Sequence, residues 1–548
     1  MNVAVFSTND IVGGAARASE RLCGGLWKMH DINVEYIVKN RKSMLGKTKV
    51  LRYANANLED IESIISHYLI NSNRTSLSNT LFSFSYADSD LPDLTKFDIL
   101  NLHWIESFLS LNNLNELVKL KKPIVWTLHD MKPFTGGCHY SADCDKYRFE
   151  CLDCLQLIDN TQRLTQKVLH VKQEIFNDAN ITIVSPSRWL ADKARKSAIF
   201  KNKRIEVIPN SVDSCVFRAI DKAKAKRKFG IDPKKTVLTF GAMSHIEMRK
   251  GFRELYRSIE LLKDKISDQN LVALFFGGDC THDFPIPIVD IGHVDHDETL
   301  SYVYSAADIF ILPSLEDNLP NMILESLSCA TPVIAFDTGG ASDIINEDNG
   351  KIVPKGDVKA LSEAIAELIE NKEKREQQGR NGRRLIRQKY QPHNQALLYR
   401  KLFEKLQSEK FVYQDREINI HPYFDELIGF VYRNSPVGNK IVFSKQYNKF
   451  FKQVEQCKKN KTVVIYGYGT VGKTIKALIP EHVTAFVDKN SSLLSQDIVK
   501  DKVYNPQNLQ NMQYDKIIIS VLGREDEIIG YLVEKLHIDE KKIITFSI

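Results

Sequence analysis

The amino-acid sequence predicts an α/β protein with two large parallel-sheet domains and a third, smaller one at the C-terminal end. Short, strongly apolar runs alternate with helical patterns along nearly the whole chain, as expected for strands buried on both faces. Many of these runs end directly in Gly, Asn, His or Ser-Pro. Because the carboxyl ends of parallel strands form the ligand crevice of such sheets, we expect the functional site at these ends.

The strand-like runs form three successive series. They are NVAVFST, FDILNLHW, PIVWTLHD and ITIVSPS in the first series, RIEVIPNS, TVLTFGA, LVALFFGG, ADIFILPS and TPVIAF in the second, and a series opening with TVVIYGYGTVGKTIKAL in the third. The predicted domains are a first Rossmann-like domain at 1–184 with a Cys-rich insertion at 136–156, a second domain at 185–390, a helix at 391–408 that crosses back to the first, a linker at 409–455, and a small Rossmann-like domain at 456–548.

Composition and charge limit the class of protein to which the chain can belong. Hydrophobic residues make up 43% and charged residues 26% of the 548 positions, which is ordinary for a globular protein. The net charge of +6 is small, and no Lys/Arg run is interleaved with aromatics, which disfavours a nucleic-acid-binding function. The N-terminus lacks the pattern of a signal peptide, and no apolar stretch reaches the ~18 residues of a membrane span. We expect a cytoplasmic protein and leave open a peripheral contact with the inner membrane surface.

The most informative segment is ADIFILPSLEDNLPNMILESLSCATPVIAFDTGG, which predicts strand, acidic loop, helix, strand and Gly loop. We place Pro320 as the first helical residue, and the free N–H groups at Pro320 and Asn321 suit a phosphate. Asp317 in the loop and Glu325 in the helix have seven residues between them and can accept hydrogen bonds from sugar or ribose hydroxyls. An N-cap acid with a solvated helix acid is the structural alternative.

This segment resembles the E-x7-E motif of retaining family-four glycosyltransferases of the GT-B fold, with Asp317 in place of the first Glu. Four further stretches match the family in order and spacing: PSRW at 186–189, IPNSVD at 208–213, RKGF at 249–252 and GHVDHDETLSYVYSAADIFILPS at 292–314. The resemblance covers about residues 1–408. It implies two Rossmann-like domains facing a central cleft, and transfer of a hexose-type sugar from a UDP- or GDP-sugar with retention of anomeric configuration.

The resemblance also implies roles for individual residues. Glu325 binds the ribose hydroxyls, Asp317 contacts the donor sugar, and Lys250 neutralises the donor diphosphate. Arg249 supplies a second charge, because Ala242 stands where the family has an Arg. On sequence alone, Arg249 and Lys250 also fit a solvated pair at a helix start.

Glycines and histidines at strand ends complete the predicted donor site. Glycines that follow a strand let a backbone approach a ligand closely, although a Gly pair alone indicates only a turn. A histidine at a strand end is equally compatible with a core position. The resemblance places His129 close to the transferred sugar. The residues are Gly13, Gly14, Gly339, Gly340, His129 and His293.

Four of the nine cysteines lie within 17 residues in the pattern C-x5-C-x6-C-x2-C, at Cys138, Cys144, Cys151 and Cys154. Four thiolates at this density fit a closed, structural zinc site. Reduced, partly buried thiols or a local disulfide are the alternatives. We expect a bound zinc ion to clamp the insertion near the acceptor side and to take no part in transfer.

The C-terminal series contains GYGTVG, with Gly467, Gly469 and Gly472, after the strand TVVIY, and Asp488 ends the next strand. Strand, Gly turn, helix and acid together form the context of a dinucleotide-binding fingerprint. The remaining chain is only about half of a full Rossmann fold. A bound dinucleotide and a purely structural or docking role therefore both remain open.

The resemblance implies a retaining glycosyltransferase that extends a glycan or lipid-linked glycan in bacterial surface polysaccharide synthesis, such as capsule or lipopolysaccharide. Fixed cations at the diphosphate make a cofactor unnecessary for transfer. The alternatives are a catalytically inactive sugar-nucleotide-binding or scaffold protein, and a bifunctional enzyme with an NAD-binding C-terminal unit.

Overall fold

The structure is a computed structural model, and its described residues divide into a larger unit, up to residue 412, and a smaller unit, from residue 450. Each unit is treated by itself. The described residues are 1–43, 48–51, 74–75, 89–158, 160, 163–242, 247–263, 270–278, 284–412, 450, 453–454, 456–457, 461–468, 472, 475–476, 479–489, 491, 502–521 and 525–545.

The larger unit contains two parallel sheets. The first has seven strands in the order β3-β2-β1-β4-β5-β6-β7. Its strands are β1 (Asn2–Asn9), β2 (Asn33–Asn40), β3 (Thr48–Val50), β4 (Ile99–Leu102), β5 (Ile124–Thr127), β6 (Ile181–Ser185) and β7 (Arg204–Val207). Its helices are α1 (Gly14–Leu26), α2 (Leu111–Lys119), α3 (Leu164–Phe176) and α4 (Arg188–Lys196).

The first domain extends further than the sequence predicts. Strand β7 pairs in parallel with β6, with Thr182 opposite Arg204 and Ser185 opposite Val207. The predicted boundary between 184 and 185 is therefore wrong, and the run RIEV belongs to the first sheet. The error has a physical reason: an apolar edge strand has the same local pattern in either sheet, and only pairing assigns it.

The second domain carries six parallel strands in the order β10-β9-β8-β11-β12-β13. The strands are β8 (Thr236–Ala242), β9 (Leu271–Gly277), β10 (Ile288–Asp290), β11 (Ile309–Leu312), β12 (Val333–Phe336) and β13 (Gly350–Val353). The helices are α5 (Lys222–Lys228), α6 (Phe252–Lys263), α7 (Asp297–Ala306), α8 (Asn321–Ser328), α9 (Val358–Glu370) and α10 (Lys372–Lys389).

The chain then returns to the first domain through α11 (Pro392–Ser408). Ala396, Tyr399 and Phe403 of this helix join the buried cluster formed by β1, β2 and α1. The hydroxyls of Tyr399 and Thr127 lie 2.8 Å apart, which fixes the helix against β5. Residues of the predicted linker from 413 to 449 lie outside the described part of the chain.

Strand order locates the ligand-binding edge of each sheet. In both sheets the order reverses direction between two central strands, β1 and β4 in the first and β8 and β11 in the second. Ligands of open α/β sheets bind at the carboxyl ends of strands at such switch points. Several predicted donor residues lie in the connections that follow these strands: Gly13 and Gly14 after β1, Arg249 and Lys250 after β8, and Asp317 after β11.

The smaller unit holds a five-stranded parallel sheet, β16-β15-β14-β17-β18. The strands are β14 (Val463–Tyr466), β15 (Val483–Val487), β16 (Val503–Tyr504), β17 (Lys516–Ile519) and β18 (Ile543–Ile544), and α12 (Glu525–Gly530) follows β17. Across the described parts of both units, none of the helices combines the length and apolar character that a membrane crossing requires.

Candidate functional site

The acidic segment predicted to hold the donor lies between β11 and α8. Asp317 is in the loop after β11 and Glu325 is in α8, and their exposed fractions are only 9% and 3%. Helix α8 begins at Asn321, and Pro320 before it has extended backbone at ψ 124. The prediction that Pro320 is the first helical residue is therefore wrong by one position, which is an ordinary uncertainty at a helix end.

The Glu325 carboxylate is held by both domains of the larger unit. Its Oε1 accepts a hydrogen bond from Nη2 of Arg21 at 2.7 Å, and its Oε2 accepts one from the Tyr304 hydroxyl at 3.0 Å. Arg21 lies on α1 of the first domain, and both side chains of the ion pair are at most 6% exposed. The Arg21 guanidinium also lies 5.1 Å from the ring centroid of Phe217. Glu325 is thus half of a buried ion pair between the domains.

The Asp317 carboxylate is surrounded more completely. Its Oδ2 accepts a hydrogen bond from Lys250 Nζ at 2.6 Å and lies 3.5 Å from Arg249 Nη1. Its Oδ1 accepts hydrogen bonds from the Tyr140 hydroxyl at 3.1 Å and from the Asn318 amide at 2.9 Å. Burial raises the pKa of Asp317, but the charges of Lys250 and Arg249 outweigh it and lower that pKa to about 2. Asp317 is therefore ionised at neutral pH.

Both predicted cations lie on a short 3-10 turn, Met248–Lys250, that follows β8. The turn rests directly on the loop after β11. At Gly251, where φ is +70°, an added Cβ would lie 1.7 Å from the carbonyl oxygen of Pro313, so only glycine fits. The exposed fractions of the Arg249 and Lys250 side chains are 14% and 16%, which excludes the solvated-pair alternative.

The glycine pair after β12 packs against the acidic loop. Gly339 has φ +58°, and a Cβ there would lie 1.8 Å from the carbonyl oxygen of Asp317. The amide of Gly340 donates a hydrogen bond to the carbonyl oxygen of Asn318 at 2.5 Å. Larger residues at either position would push the acidic loop away. These glycines therefore determine where Asp317 sits.

The glycine pair after β1 meets the same segment from the first domain. Asn321 Nδ2 donates a hydrogen bond to the carbonyl oxygen of Gly14 at 2.9 Å. Gly13 has φ +93°, a backbone conformation that L side chains rarely adopt. The loop of Gly13 and Gly14 and the amino-terminal end of α8 are thus brought together at the cleft, as their predicted role requires.

His129 follows β5 and reaches the cleft through its backbone. Its carbonyl oxygen accepts a hydrogen bond from Asn318 Nδ2 at 3.2 Å. Its Nε2 lies 3.0 Å from Nδ1 of His103, whose Nε2 lies 3.1 Å from Asn101 Oδ1. Burial lowers the pKa of His129 to about 4 and holds the pKa of His103 well below its usual value. Both rings are therefore neutral at pH 7.

His293 is the predicted donor residue that fits least well. Its side chain is 56% exposed, and its Nε2 lies 2.9 Å from Oδ1 of Asp295, two positions along the chain. The described contact is thus local and does not join His293 to the acidic segment. A role in donor binding gains no support from this geometry.

Several residues of the cleft were missed by sequence reasoning. Arg21 and Tyr140 contact the two acids, yet they lie 304 and 177 positions away in the chain, so no local spacing relates them. Ser187 Oγ donates a hydrogen bond to Asn318 Oδ1 at 2.6 Å, and Arg188 forms an ion pair with Asp343 at 2.8 Å. Ser187 and Arg188 lie in the PSRW match at 186–189, which was the one sequence feature that could have indicated them.

The four cysteines of the insertion line a common cavity with Tyr147 and Thr165. Burial raises the pKa of three of these thiols, to about 12 for Cys151, which favours the protonated form. Among the described residues, which include all four thiols, no three His, Cys, Asp or Glu side chains converge in an arrangement suited to a metal ion. Zinc binding by these four cysteines therefore stays a prediction, beside the alternative of reduced, partly buried thiols.

The glycine loop of the smaller unit follows β14. A Cβ on Gly472 would lie 2.2 Å from the carbonyl oxygen of Gly467, so the third glycine of the fingerprint permits close packing. Asp488 Oδ2 accepts a hydrogen bond from the amide of Tyr468 at 2.9 Å. Gly469 lies outside the described residues. Dinucleotide binding stays a prediction, because residues 469–471 of the loop lie outside the described part of the chain.

Comparison with protein families agrees with this architecture. Residues 12–214 match the model described as Glycosyltransferase Family 4, and residues 221–385 match that described as Glycosyl transferases group 1. Residues 459–544 match the model described as C2185-like, N-terminal. The two glycosyltransferase models meet between β7 and β8, which is where the sheets divide.

Similar proteins come from bacterial polysaccharide synthesis. The putative colanic acid biosynthesis glycosyl transferase WcaC of Escherichia coli K12 is 25% identical over 288 residues, which are 49% of this chain and 66% of that protein. The capsular polysaccharide biosynthesis glycosyltransferase CapM of Staphylococcus aureus is 26% identical over 240 residues, which are 41% of this chain and 61% of that protein. The matched regions thus span less than two thirds of these relatives.

Solved structures show the same fold. Sucrose-phosphate synthase from Thermosynechococcus elongatus superposes with a TM-score of 0.51 at 17% identity, covering 74% of this chain and 98% of that one. HepE from Anabaena in complex with UDP-glucose gives 0.50 at 14% identity, covering 74% and 100%. The two family models and the two parallel sheets of the larger unit identify the chain as a member of the family-four-type glycosyltransferases with the GT-B fold.

Proposed function

We propose that the protein is a retaining glycosyltransferase that moves a hexose-type sugar from a UDP- or GDP-sugar to a glycan or lipid-linked glycan acceptor. Its relatives include proteins named for colanic acid and capsular polysaccharide synthesis, which supports bacterial surface polysaccharide as the product. A fold neighbour was solved with UDP-glucose, which supports a nucleoside-diphosphate sugar as the donor.

One observation carries the proposal: Lys250 and Arg249 are nearly buried at the carboxyl ends of β8 and β11, beside the amino-terminal end of α8. Two fixed cations and a helix amino terminus at a sheet switch point suit a diphosphate. On the first-domain side of the cleft, the carbonyl oxygen of Gly14 accepts a hydrogen bond from Asn321. A nucleoside diphosphate is the ligand that this combination of charges and close backbones fits best.

Transfer then follows a front-face route. The bond between sugar and phosphate loosens, negative charge builds on the leaving diphosphate, and Lys250 and Arg249 stabilise that charge. The acceptor oxygen bonds to the anomeric carbon on the face that the diphosphate leaves, and an oxygen of the leaving phosphate takes the acceptor proton, so neither a protein nucleophile nor a protein base is required. His129, neutral at pH 7, contributes a hydrogen-bonding group rather than a charge.

Glu325 binds the ribose hydroxyls through the lone-pair directions that Arg21 and Tyr304 leave open. A carboxylate that already accepts from Arg21 and Tyr304 has two further lone-pair directions for hydroxyl donors. Closure of the two domains around the donor excludes water and limits hydrolysis. Because the charge-stabilising groups are side chains of the protein, we expect transfer to persist in the presence of a chelator.

A panel of UDP-, GDP- and ADP-sugars tests the proposal. We expect one donor to raise the unfolding midpoint, since a ligand at 100 times its dissociation constant adds about 2.7 kcal/mol. The same donor should be hydrolysed slowly, and faster when a glycan acceptor is added, with NMR of the product showing the donor's anomeric configuration. An inverted product would overturn the retaining mechanism, and no response to any donor would overturn the proposed function.

A further inference from the structure

The Cys-rich insertion, residues 136–156, reaches from the first domain to the acidic loop of the second. Two of its amides, from Ser141 and Ala142, donate hydrogen bonds to the two carboxylate oxygens of Glu316, at 3.2 and 3.0 Å. The Tyr140 hydroxyl donates to Asp317. At the outer edge, Lys355 Nζ lies 3.3 Å from Asp143 Oδ2. Both acids of the loop are thus bound by three consecutive residues of the insertion.

Tyr140 touches two members of the charged cluster at once. Its hydroxyl lies 3.1 Å from Asp317 Oδ1, and its ring centroid lies 4.5 Å from the guanidinium carbon of Arg249. A cation over an aromatic face is attracted by the ring, most strongly where water is excluded. Tyr140 is 7% exposed, so both contacts are desolvated.

These contacts change what Asp317 can do. An ionised carboxylate offers about four lone-pair directions. Tyr140 and the Asn318 amide occupy those of Oδ1, and Lys250 occupies one of Oδ2, which Arg249 also faces across 3.5 Å. At most one direction, at Oδ2 beside Arg249, is left for a sugar hydroxyl. Asp317 therefore acts as a fixed counterion that sets the positions of the two cations.

We propose that Tyr140 is a positioning residue: by holding one oxygen of Asp317 and the face of Arg249, it sets Lys250 and Arg249 for the diphosphate of the donor. This inference rests on the proposed function, and it assigns the Cys-rich insertion a part in donor binding. The two cations carry the chemistry, and the hydroxyl of Tyr140 acts through Asp317 alone.

Matched variants separate positioning from simple support of the fold. Tyr140→Phe keeps the ring over Arg249 and removes only the hydroxyl. Tyr147→Phe is the control in the same insertion, because Tyr147 is also buried but packs on Phe134, with ring centroids 5.7 Å apart, away from the acidic loop. Asp143→Ala, at an 83% exposed side chain, removes the outer ion pair without touching Asp317.

The experiment is a double-mutant cycle of Tyr140→Phe and Asp317→Asn, on the full chain, with three measurements. These are kcat and KM for the active donor sugar, the dissociation constants of UDP and GDP, and the free energy of unfolding. We expect Tyr140→Phe to lower kcat about tenfold to hundredfold, the usual worth of a hydrogen bond to a charged group, and to weaken binding of the diphosphate. In the Asp317→Asn background it should change kcat less than about twofold, since non-additivity reports shared action.

Three results decide the matter. Effects of Tyr140→Phe and Asp317→Asn that multiply would overturn the inference, because Tyr140 would then act independently of Asp317. A Tyr140→Phe variant that matches Tyr147→Phe in all three measurements overturns it as well, while leaving the proposed function intact. Wild-type protein that binds neither UDP nor GDP and transfers no sugar overturns the proposed function first, and this inference with it.

Discussion

Asp317 and Glu325 lie in one segment, yet their countercharges come from different domains. The cations beside Asp317, Lys250 and Arg249, belong to the same domain as the acid. The cation beside Glu325 is Arg21, on the first helix of the other domain. Separation of the two domains would leave Asp317 neutralised, whereas Glu325 would lose its only cation among the ion pairs that the structure describes.

This difference indicates that Asp317 and Glu325 have different roles. A carboxylate that keeps its cations in every arrangement of the domains is suited to organise charge. A carboxylate whose cation moves away is suited to receive a new ligand, because its hydrogen-bonding capacity becomes available when the cleft opens. We infer that Glu325 senses whether the cleft is open or closed, and that Asp317 does not.

Breaking the Glu325 pair should have the largest effect on the fold. Glu325→Ala removes the hydrogen-bonded countercharge of the buried Arg21 guanidinium and leaves only Asp297 at 3.9 Å, and we expect the free energy of unfolding of the larger unit to fall by about 3–5 kcal/mol. Chemical denaturation followed by a signal from that unit measures it.

The control replaces both partners. Arg21→Met combined with Glu325→Leu removes the charges and refills the space, so stability should return to within about 1 kcal/mol of the wild type, or exceed it. Donor binding should stay lost, because the ribose ligand is absent. A Glu325→Ala protein as stable as the wild type would show that the ion pair does not hold the domains.

Removing a cation beside Asp317 should lower the rate of transfer more than it lowers the free energy of unfolding. Lys250→Ala removes one of the two cations facing Asp317 and leaves Arg249 at 3.5 Å. We expect kcat to fall about 100- to 1,000-fold, as for loss of one charge-stabilising group, with a smaller loss of stability than for Glu325→Ala. Steady-state kinetics with the active donor measure it. Lys355→Ala, which removes an exposed cation of the same domain, is the control, and equal kcat values for the two variants would contradict the assignment.

The sequence predicted which residues form this site better than it predicted the residues of the other domain that contact them. Asp317, Glu325, Lys250 and the glycine pair at 339 and 340 come together as expected, because each follows a strand whose carboxyl end is fixed by a parallel sheet. Tyr140 and Arg21 could not be predicted in the same way. Contacts between domains depend on how two separately folded surfaces meet, and neither periodicity nor spacing reports that.

Two predictions stay open for a common reason. Four cysteines within 17 residues fit a zinc site by density and line one cavity, but buried reduced thiols produce the same pattern. Similarly, the third fingerprint glycine of the smaller unit, Gly472, packs against the carbonyl oxygen of Gly467, which fits a structural role as well as a ligand-binding one. In both cases one residue pattern serves a structural as well as a ligand-binding purpose.

The pH dependence of stability gives a finer test of the Asp317 cluster. The pKa of Asp317 is lowered from 3.8 to about 2, so the carboxylate contributes stability that is present above pH 4 and is lost as the pH falls towards 2. At 1.36 kcal/mol for each unit, the contribution is about 2 kcal/mol. Wild-type protein should therefore lose about that much more stability than Asp317→Asn between pH 4 and pH 2, measured by denaturant titration. Parallel curves for the two proteins would contradict the ionised, cation-bound carboxylate.

The smallest effects are expected at the outer edges of the two acid sites. Each has an exposed ion pair between the domains: Arg17 with Asp297 beside Glu325, and Lys355 with Asp143 beside Asp317. Such pairs are worth about 0.2–1 kcal/mol and are screened by salt. Arg17→Ala and Lys355→Ala should each lower the free energy of unfolding by that amount at low salt and by much less at 0.5 M salt, where the Debye length is only about 4 Å.

Because Asp297 Oδ2 also lies 3.9 Å from Arg21, the Arg17 variant should be the more sensitive of the two to a second change at Glu325. Equal coupling of both edge pairs to Glu325 would mean that the domains close as one rigid surface, and the distinction between the two acids would then lie in their chemistry alone.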